Sequence, residues 1–276
     1  MGVVLIILVS FLSAYIFLIR PRFCKRAELS PYFNLQWAHR GLHDIQKGIP
    51  ENSMAAFESA IRHGMPIEMD VHLTKDKKLV VFHDDTLDRM CGREGRIEEL
   101  DWLELSSCRL LDTQERIPLF QDLLDLVAGQ VPLLIEVKLP NSNRSICQYL
   151  VEALRSYQGK YLVQSFNSLA MYWFRKNSPE TLRGQISSNL TATEKTPNYL
   201  LRFAVKYLLA NGISRPDFIS YKWADSKNIS VWIHRIIFKT PVAVWTLRGN
   251  KERRAARGKF SMYIFEENKS QVRPGE

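Results

Sequence analysis

The sequence predicts an α/β protein, a TIM-type (β/α)8 barrel with a small insertion, preceded by one N-terminal transmembrane helix. The chain has 276 residues, 46% of them hydrophobic, which is enough for one large core. A barrel of this type takes about 250 residues as a single unit. Short apolar runs alternate with longer amphipathic stretches, as expected of a parallel sheet. The N-terminal helix is predicted from a separate run without charge.

That run covers residues 2–19 and is just long enough to cross a bilayer core of ~30 Å as a helix. Four cations follow it, namely Arg20, Arg22, Lys25 and Arg26. A cleavable signal peptide would have cations before the apolar run, so we interpret the run as a retained single-pass anchor. The cations after it predict that the domain following the anchor lies in the cytoplasm. A cleaved signal and a buried core helix remain the alternatives.

The predicted organisation is an anchor at 1–20, a basic linker at 21–34, a barrel domain at 35–268 with an insertion at 84–116, and a tail at 269–276. The formal net charge is +9. The cations beside the anchor are explained by attraction to anionic lipid headgroups, and no basic and aromatic interleaving indicates nucleic acid. We therefore expect membrane lipid and no nucleic acid as partners. The sequence does not identify a protein partner. Four cysteines without paired spacing indicate a reduced compartment.

Nine strands are predicted, one more than the barrel needs. They cover residues 35–39, 66–73, 79–83, 133–137, 161–165, 182–186, 217–221, 242–246 and 262–265. The surplus is explained by the polar residues 74–78, which predict a hairpin turn and no helical crossover. The register of that hairpin would bring His83 opposite Asp70 or within one residue of it. Asn52 or Ser53 is the predicted N-cap of the first barrel helix, and Pro118 is predicted to open a later one.

Glu68 and Asp70 are two residues apart in an apolar strand, so alternation directs both carboxylates to the same face. Two buried carboxylates repel each other, and a hard divalent cation bound through oxygen would compensate them. The alternative is a solvent-facing pair on an edge strand. Glu136 and Lys138 share a face at the C-terminal end of another apolar strand, where barrel enzymes have their active sites. Glu136 is a candidate third metal ligand, and Lys138 a candidate charge for an anionic substrate.

His39 and His83 each end a predicted strand. Histidine titrates near neutrality, so the pair can act as base and acid on the two sides of a phosphoryl group. Arg40 offers a fork of donors to phosphate oxygens, and Gly41 is expected to let the backbone approach a ligand. Glu51, which follows Pro50 in the next loop, is expected to support these groups from behind.

Several segments together resemble the glycerophosphodiester phosphodiesterase family. They are His39-Arg40-Gly41, Pro50-Glu51-Asn52, Glu68-Met69-Asp70-Val71, Leu73-Thr74-Lys75-Asp76, the run from Val81 to Arg89, Ile117-Pro118 and Ile135-Glu136-Val137-Lys138. Their order and spacing make the resemblance specific from Trp37 to Lys138. The C-terminal run from Met262 to Glu267 departs from the Gly-x-Asp and Thr-Asp-x-Pro ending of the family, and we expect this to affect substrate contacts more than chemistry.

The resemblance implies one Ca²⁺ or Mg²⁺ held by residues matching Glu68, Asp70 and Glu136. It also implies that His39 and His83 are the acid and base pair. Residues matching Arg40 and Lys138 would bind the phosphate, with Glu51 and Asn52 beside them. By analogy His39 is assigned as base and His83 as acid.

The predicted function is metal-dependent hydrolysis of a glycerophosphodiester to glycerol 3-phosphate and an alcohol at a membrane surface. The nucleophile is either water or the 2-hydroxyl of the substrate. One alternative is lysophospholipase D activity on lysophospholipids with the same fold. The alternative of another class is a non-catalytic, membrane-tethered binding module.

Overall fold

A computed structural model of the protein describes residues 2–141, 143–190 and 198–267, and the predicted tail 269–276 lies outside this part. The strands are β1 Gln36–His39, β2 Ile67–Leu73, β3 Leu79–Val81, β4 Leu133–Val137, β5 Tyr161–Ser165, β6 Arg183–Ser187, β7 Phe218–Lys222, β8 Val242–Arg248 and β9 Met262–Glu266. The α-helices are α1 Gly2–Ile19, α2 Arg26–Leu29, α3 Met54–Arg62, α4 Asp88–Cys91, α5 Trp102–Leu105, α6 Phe120–Val127, α7 Ser145–Leu154, α8 Ser168–Asn177, α9 Tyr199–Lys206, α10 Asn211–Ser214, α11 Ile229–Ile236 and α12 Gly249–Ala256.

Eight of the strands form a closed parallel barrel in the order β1, β9, β8, β7, β6, β5, β4, β2, and the pairing of β1 with β2 closes it. The predicted barrel with its surrounding helices is confirmed. The ninth strand, β3, pairs antiparallel with the C-terminal half of β2, with Leu73 opposite Leu79 and Val71 opposite Val81. The hairpin expected at residues 74–78 therefore accounts for the surplus strand. The backbone N–H of Phe82 continues the ladder to Asp70 O at 3.0 Å, which brings His83 within one residue of Asp70.

The lower half of the barrel interior is apolar. Trp37, Leu134, Leu162 and Phe218 belong to one buried cluster there, together with residues of β8 and β9. Gly184 in β6 makes room for this packing, because a Cβ at that position would lie 2.2 Å from the ring of Phe218. Two larger clusters fill the space between the barrel and its helices. The interior is thus packed below and leaves its polar residues at the other end of the strands.

The predicted linker 21–34 is packed against the base of the barrel. Leu29 and Tyr32 are buried with Trp37 in the interior cluster. The Arg22 guanidinium makes two hydrogen bonds to the buried carboxylate of Asp217, at 2.6 and 2.8 Å. This segment therefore closes the N-terminal end of the strands, because its apolar side chains find a place in the core.

The insertion between β3 and α6 has a small core of its own. Val80, Phe82, Leu87, Met90 and Ile97 are buried in it with residues of α5. Ser53 caps α3, since its Oγ accepts a hydrogen bond from Ala56 N at 3.2 Å. It is one of the two residues predicted for this position. The helix after Pro118 begins at Phe120.

Helix α1 is apolar and mostly exposed. Its mean hydropathy over 18 residues is 2.8, and only 6% of the segment is buried within the protein. Ile19 at its end is buried among residues of β7, α11 and β8. A mostly exposed helix of this composition differs from a soluble core helix, which would be mostly buried.

Candidate active site

The site lies at the C-terminal end of the barrel strands because side chains two residues apart share a face. Trp37, Leu134 and Ile264 fill the apolar interior. Two residues further along the same strands, His39, Glu136 and Glu266 reach the mouth and line its cavity. The same alternation that builds the core below therefore builds a polar ring above it.

Three carboxylates meet in this ring. One oxygen each of Glu68, Asp70 and Glu136 lies within 4.8 Å of the others, and all three residues are buried. The pairing of β2 with β4 brings this about, because Asp70 stands directly opposite Glu136. Burial and then the charges of Asp70 and Glu136 raise the pKa of Glu68 well above its ordinary value. The cluster therefore carries an unfavourable excess of negative charge.

This cluster suits a hard divalent cation, which prefers carboxylate and amide oxygens. Asn52 supports the arrangement, since its Nδ2 donates to Asp70 Oδ2 at 2.9 Å. The Oδ1 atom of Asn52 is buried and has no hydrogen-bond partner among the described residues. A buried acceptor oxygen without a partner is unfavourable, and a cation bound next to Asp70 would offer this oxygen a ligand position. The donor set thus fits the predicted Ca²⁺ or Mg²⁺, and it does not distinguish between them.

Lys138 lies behind the carboxylates. Its Nζ is 2.9 Å from Asp70 Oδ1 and 2.5 Å from Glu136 Oε1. Burial would lower the pKa of Lys138, but the two carboxylates outweigh it and hold the pKa above its ordinary value. Lys138 also lines a second, smaller cavity with His72 and Thr74. Lys138 therefore neutralises part of the carboxylate charge.

Both predicted catalytic histidines have a carboxylate on Nδ1. His39 Nδ1 lies 2.6 Å from Glu266 Oε1, and His83 Nδ1 lies 2.6 Å from Asp84 Oδ1. An ionised carboxylate can only accept, so Nδ1 of each ring carries the hydrogen. In the neutral form of each ring, Nε2 is then the free acceptor. The His39 Nε2 atom is 3.9 Å from Glu68 Oε2, which directs it toward the carboxylate cluster.

A chain of ion pairs connects the two halves of the site. Arg40 Nη1 donates to Glu51 Oε1 at 2.6 Å, and Arg89 Nη2 donates to the same oxygen at 2.7 Å. Arg89 also holds Asp84, the partner of His83. Burial would raise the pKa of Glu51, but Arg40 and Arg89 outweigh it and keep the pKa well below its ordinary value. Glu51 therefore stays charged and keeps both arginines in place.

Burial, followed by the charges of Lys138 and Arg40, lowers the pKa of His83 to about 4. Its ring is therefore neutral at pH 7 in the described arrangement. Bound phosphate would bring negative charge toward these cations and favour the protonated ring.

The backbone after β1 is tightly constrained. Arg40 has a positive φ of 57° and Gly41 one of 80°. A Cβ on Gly41 would lie 2.8 Å from Ala56 Cβ in α3. We expected this glycine to admit a ligand, but its close neighbour is α3. The turn holds the Arg40 N–H against Glu68 Oε2 at 3.1 Å.

The cavity at the mouth has a volume of about 490 Å³. Part of its lining is charged, with His39, Arg40, Glu68, His83 and Glu136. The residues from β5 onward add apolar and aromatic side chains, which are Phe166, Ile186, Leu190, Trp223 and Trp245, together with the charged Lys222, Arg248 and Glu252. The cavity therefore offers both charged and apolar groups to a ligand.

All nine predicted site residues converge here. Five of them line the cavity, while Asp70, Glu51, Asn52 and Lys138 contact those five or each other from behind. Sequence reasoning missed the roles of Glu266 and Asp84. Asp84 could have been found because it adjoins His83. For Glu266 the signal was its place two residues after a core position of the last strand.

Fold and site together define an α/β-barrel protein with two carboxylate-paired histidines and a candidate cation site at its mouth. Residues 39–252 match the Glycerophosphoryl diester phosphodiesterase family, and the chain belongs to that family. The resemblance inferred from the motifs is thereby confirmed.

Two curated relatives illustrate the range of the family. A Glycerophosphodiester phosphodiesterase of Caldanaerobacter subterraneus subsp. tengcongensis is 32% identical over 157 residues, which are 51% of this chain and 62% of that protein. Lysophospholipase D GDPD1 of Rattus norvegicus is 30% identical over 125 residues, which are 41% of this chain and 39% of that protein. The chain thus matches less than two thirds of the length of each.

Among solved structures, a phosphodiesterase of Oleispira antarctica in complex with the product sn-glycerol-3-phosphate is similar to this chain. The TM-score is 0.68 at 20% identity, and the match covers 85% of this chain and 94% of the other. At this level of identity the likeness supports the fold alone.

Proposed function

We propose that the chain is a phosphoric diester hydrolase that converts a glycerophosphodiester to glycerol 3-phosphate and an alcohol. The observation that carries this proposal is the pairing of His39 with Glu266 and of His83 with Asp84 beside the three carboxylates. Membership of the glycerophosphodiester phosphodiesterase family supports it.

In this proposal Glu68, Asp70 and Glu136 hold one Ca²⁺ or Mg²⁺. When bound, the cation would supply positive charge that stabilises negative charge on the phosphate and hydroxyl oxygens of the substrate. Arg40 would bind the phosphate through its guanidinium, with Lys138 adding a point charge from behind the carboxylates. Glu51 would orient Arg40, and Asn52 would orient Asp70. These groups bind the substrate and set its position.

The two imidazoles would move the protons. His39 Nε2 would accept a proton from the nucleophile, either water or the 2-hydroxyl of the substrate. With the 2-hydroxyl as nucleophile, the first product would be a cyclic phosphate, and water would open it to glycerol 3-phosphate in a second step. His83, once bound phosphate has favoured its protonated form, would give its Nε2 proton to the oxygen of the departing alcohol. Glu266 and Asp84 would keep each ring oriented through Nδ1 and stabilise its charged form. Positioned proton transfer of this kind contributes about 10²-fold to 10⁴-fold to a rate.

The test is hydrolysis of glycerophosphocholine, measured as release of glycerol 3-phosphate. His39→Ala and His83→Ala should each lower kcat by about 10²-fold or more. His63→Ala is the matched control, because His63 is exposed at the end of α3 and should leave the rate unchanged. Full activity of His39→Ala would reject the scheme.

A second candidate is lysophospholipase D activity. The apolar side chains of the cavity and the similarity to Lysophospholipase D GDPD1 support it. Comparing turnover of glycerophosphocholine with that of lysophosphatidylcholine separates the two. If neither substrate is turned over with any divalent cation, the remaining candidate is a membrane-tethered binding module.

We also propose that α1 anchors the chain in a membrane, with the barrel in the cytoplasm. The exposed apolar surface of α1 and the cations after it support this. Protease digestion of sealed membrane vesicles of known orientation tests the side on which the barrel lies. Digestion of the barrel from the non-cytoplasmic side would contradict the proposed orientation.

A further inference from the structure

Helix α1 runs beside α11 in the same direction. The Tyr15 hydroxyl lies 2.7 Å from Ser230 Oγ. Ile19 and His234 follow these two residues by four positions in α1 and α11. Asn211 connects them, since its Nδ2 is 3.0 Å from Ile19 O and 3.2 Å from His234 Nε2. The N-terminal ends of α1 and α11 therefore point to the same side of the barrel.

That side is the mouth of the candidate site. Helix α11 follows β7, whose last residue Lys222 lines the cavity together with Trp223. A helix that follows a barrel strand begins at the C-terminal end of that strand. Residues 2–14 of α1, which are exposed and precede its contacts at Tyr15 and Ile16, thus extend past the mouth. As a helix they rise about 20 Å, which is less than a bilayer core of ~30 Å.

The barrel also carries exposed apolar side chains at this end. In α9, Leu200 is 79% exposed and Leu201 60%, and at the start of α11 Ile229 is 53% exposed. Ser230 Oγ donates to Tyr207 O at 3.0 Å, so α1, α11 and the end of α9 meet at this one serine. The exposed apolar side chains of α1, α9 and the first turn of α11 thus belong to three helices that meet at this serine.

Isolated exposed apolar residues are common on proteins, but several of them on helices that meet an exposed apolar helix indicate a binding surface. The apolar side chains of the cavity lie at the same end, where Phe166 packs edge-to-face on Trp245 with ring centroids 5.6 Å apart.

We propose that the mouth of the site faces the phospholipid bilayer that holds α1, with the apolar side chains of α9 and the first turn of α11 in the lipid interface. Of the two candidate substrates, this orientation favours the lysophospholipid, which would reach the site from the bilayer. This inference rests on the proposed function for the chemistry, and on geometry for the orientation.

The orientation is tested on the full chain in vesicles of phosphatidylcholine and phosphatidylglycerol. A fluorescent label is attached to Ile229→Cys, and in a second variant to Ile237→Cys, with the labelled parent as background. These residues are 53% and 56% exposed and lie at opposite ends of α11. We expect quenchers attached to lipid to reduce the fluorescence of the label at 229 several-fold more than that of the label at 237. We expect iodide in the water to quench the label at 237 more strongly. Equal or reversed quenching would overturn the orientation whether or not the protein is active.

The substrate class is tested with Leu200→Ser combined with Leu201→Ser, two exposed positions outside the proposed chemistry. We expect turnover of lysophosphatidylcholine in vesicles to fall at least fivefold, with turnover of soluble glycerophosphocholine unchanged. An equal rate on the vesicle substrate would overturn the inference and leave the proposed function standing. If the wild type turns over neither lysophosphatidylcholine nor glycerophosphocholine, the proposed function is rejected instead.

Discussion

Nδ1 of His39 lies 2.6 Å from Oε1 of Glu266, so the first and last strands of the barrel each contribute one partner of this pair. Burial would raise the pKa of Glu266, but the hydrogen bond from His39 outweighs it and holds the pKa well below its ordinary value. The carboxylate is therefore charged and can stabilise a protonated His39. Arg248 contacts its other oxygen at 3.1 Å.

Glu266→Gln should lower kcat by about tenfold to 100-fold and leave KM nearly unchanged, because the amide keeps the contact but removes the charge that stabilises the imidazolium. Steady-state kinetics on glycerophosphocholine measures both constants. Glu267→Gln is the matched control, since Glu267 is exposed and contacts only Arg253 at 3.9 Å among the ion pairs of the described residues. A rise in KM without loss of kcat would mean that Glu266 binds substrate.

His83→Ala should lose less activity on a substrate with a good leaving group. If His83 protonates the departing alcohol, glycerophospho-p-nitrophenol needs that proton less than glycerophosphocholine does. We expect the fold-decrease in kcat/KM caused by His83→Ala to be at least ten times smaller on glycerophospho-p-nitrophenol than on glycerophosphocholine. His39→Ala, as the base, should lose equally on both. The opposite pattern would exchange the two assignments.

A divalent cation should stabilise the folded chain. Binding to the native state alone contributes about 2.7 kcal/mol at a cation concentration 100 times Kd. Thermal unfolding in detergent with Mg²⁺ or Ca²⁺, compared with a chelator, measures this shift. Glu68→Gln should abolish the shift and yet raise the Tm in chelator, because it removes one charge from a buried repulsive cluster. A shift of wild-type size in that variant would exclude Glu68 as a ligand.

The stability of the chain should fall with acid because of His234. This ring is fully buried, and burial lowers its pKa to about 3. The unfolded chain has the ordinary value of 6.5, so it binds more protons than the folded chain between pH 6.5 and 3. The contribution of His234 is complete above pH 6.5 and is lost as the pH falls through this window. At pH 5 the loss is about 2 kcal/mol.

Urea unfolding at pH 7.5 and pH 5 measures this effect. His234→Gln should unfold with a smaller dependence on pH than the wild type, since it removes one group that gains a proton on unfolding. His63→Gln, at an exposed position, should keep the wild-type dependence. If both variants retain it, another buried group is responsible, such as His72, whose pKa burial lowers to about 4.

Periodicity was sufficient to predict the barrel. All nine predicted strands are present, and their ends differ from the expected ones by at most two residues. The carboxylate cluster was also predictable, because Glu68 and Asp70 share a face by alternation alone. Both inferences depend only on the spacing of residues along a strand, which can be read from the sequence.

Contacts that form only on closure of the barrel were not predictable in this way. Glu266 follows His39 by 227 positions, and nothing local relates them. The reason for Gly41 was also missed, because it depends on the packing of α3 against the turn after β1. The packing of the segment 21–34 under the barrel has the same origin, since Leu29 finds its neighbours only in the closed interior.

The most direct measurement is release of glycerol 3-phosphate from glycerophosphocholine by the full chain in detergent, with Ca²⁺ or Mg²⁺ and then with excess chelator. Cation-dependent release is expected, with loss of activity in chelator, recovery when the cation is restored, and about 10²-fold slower turnover by His39→Ala. Hydrolysis that continues unchanged in chelator, or at the full rate without the imidazole of His39, would contradict an acid–base site built around a cation.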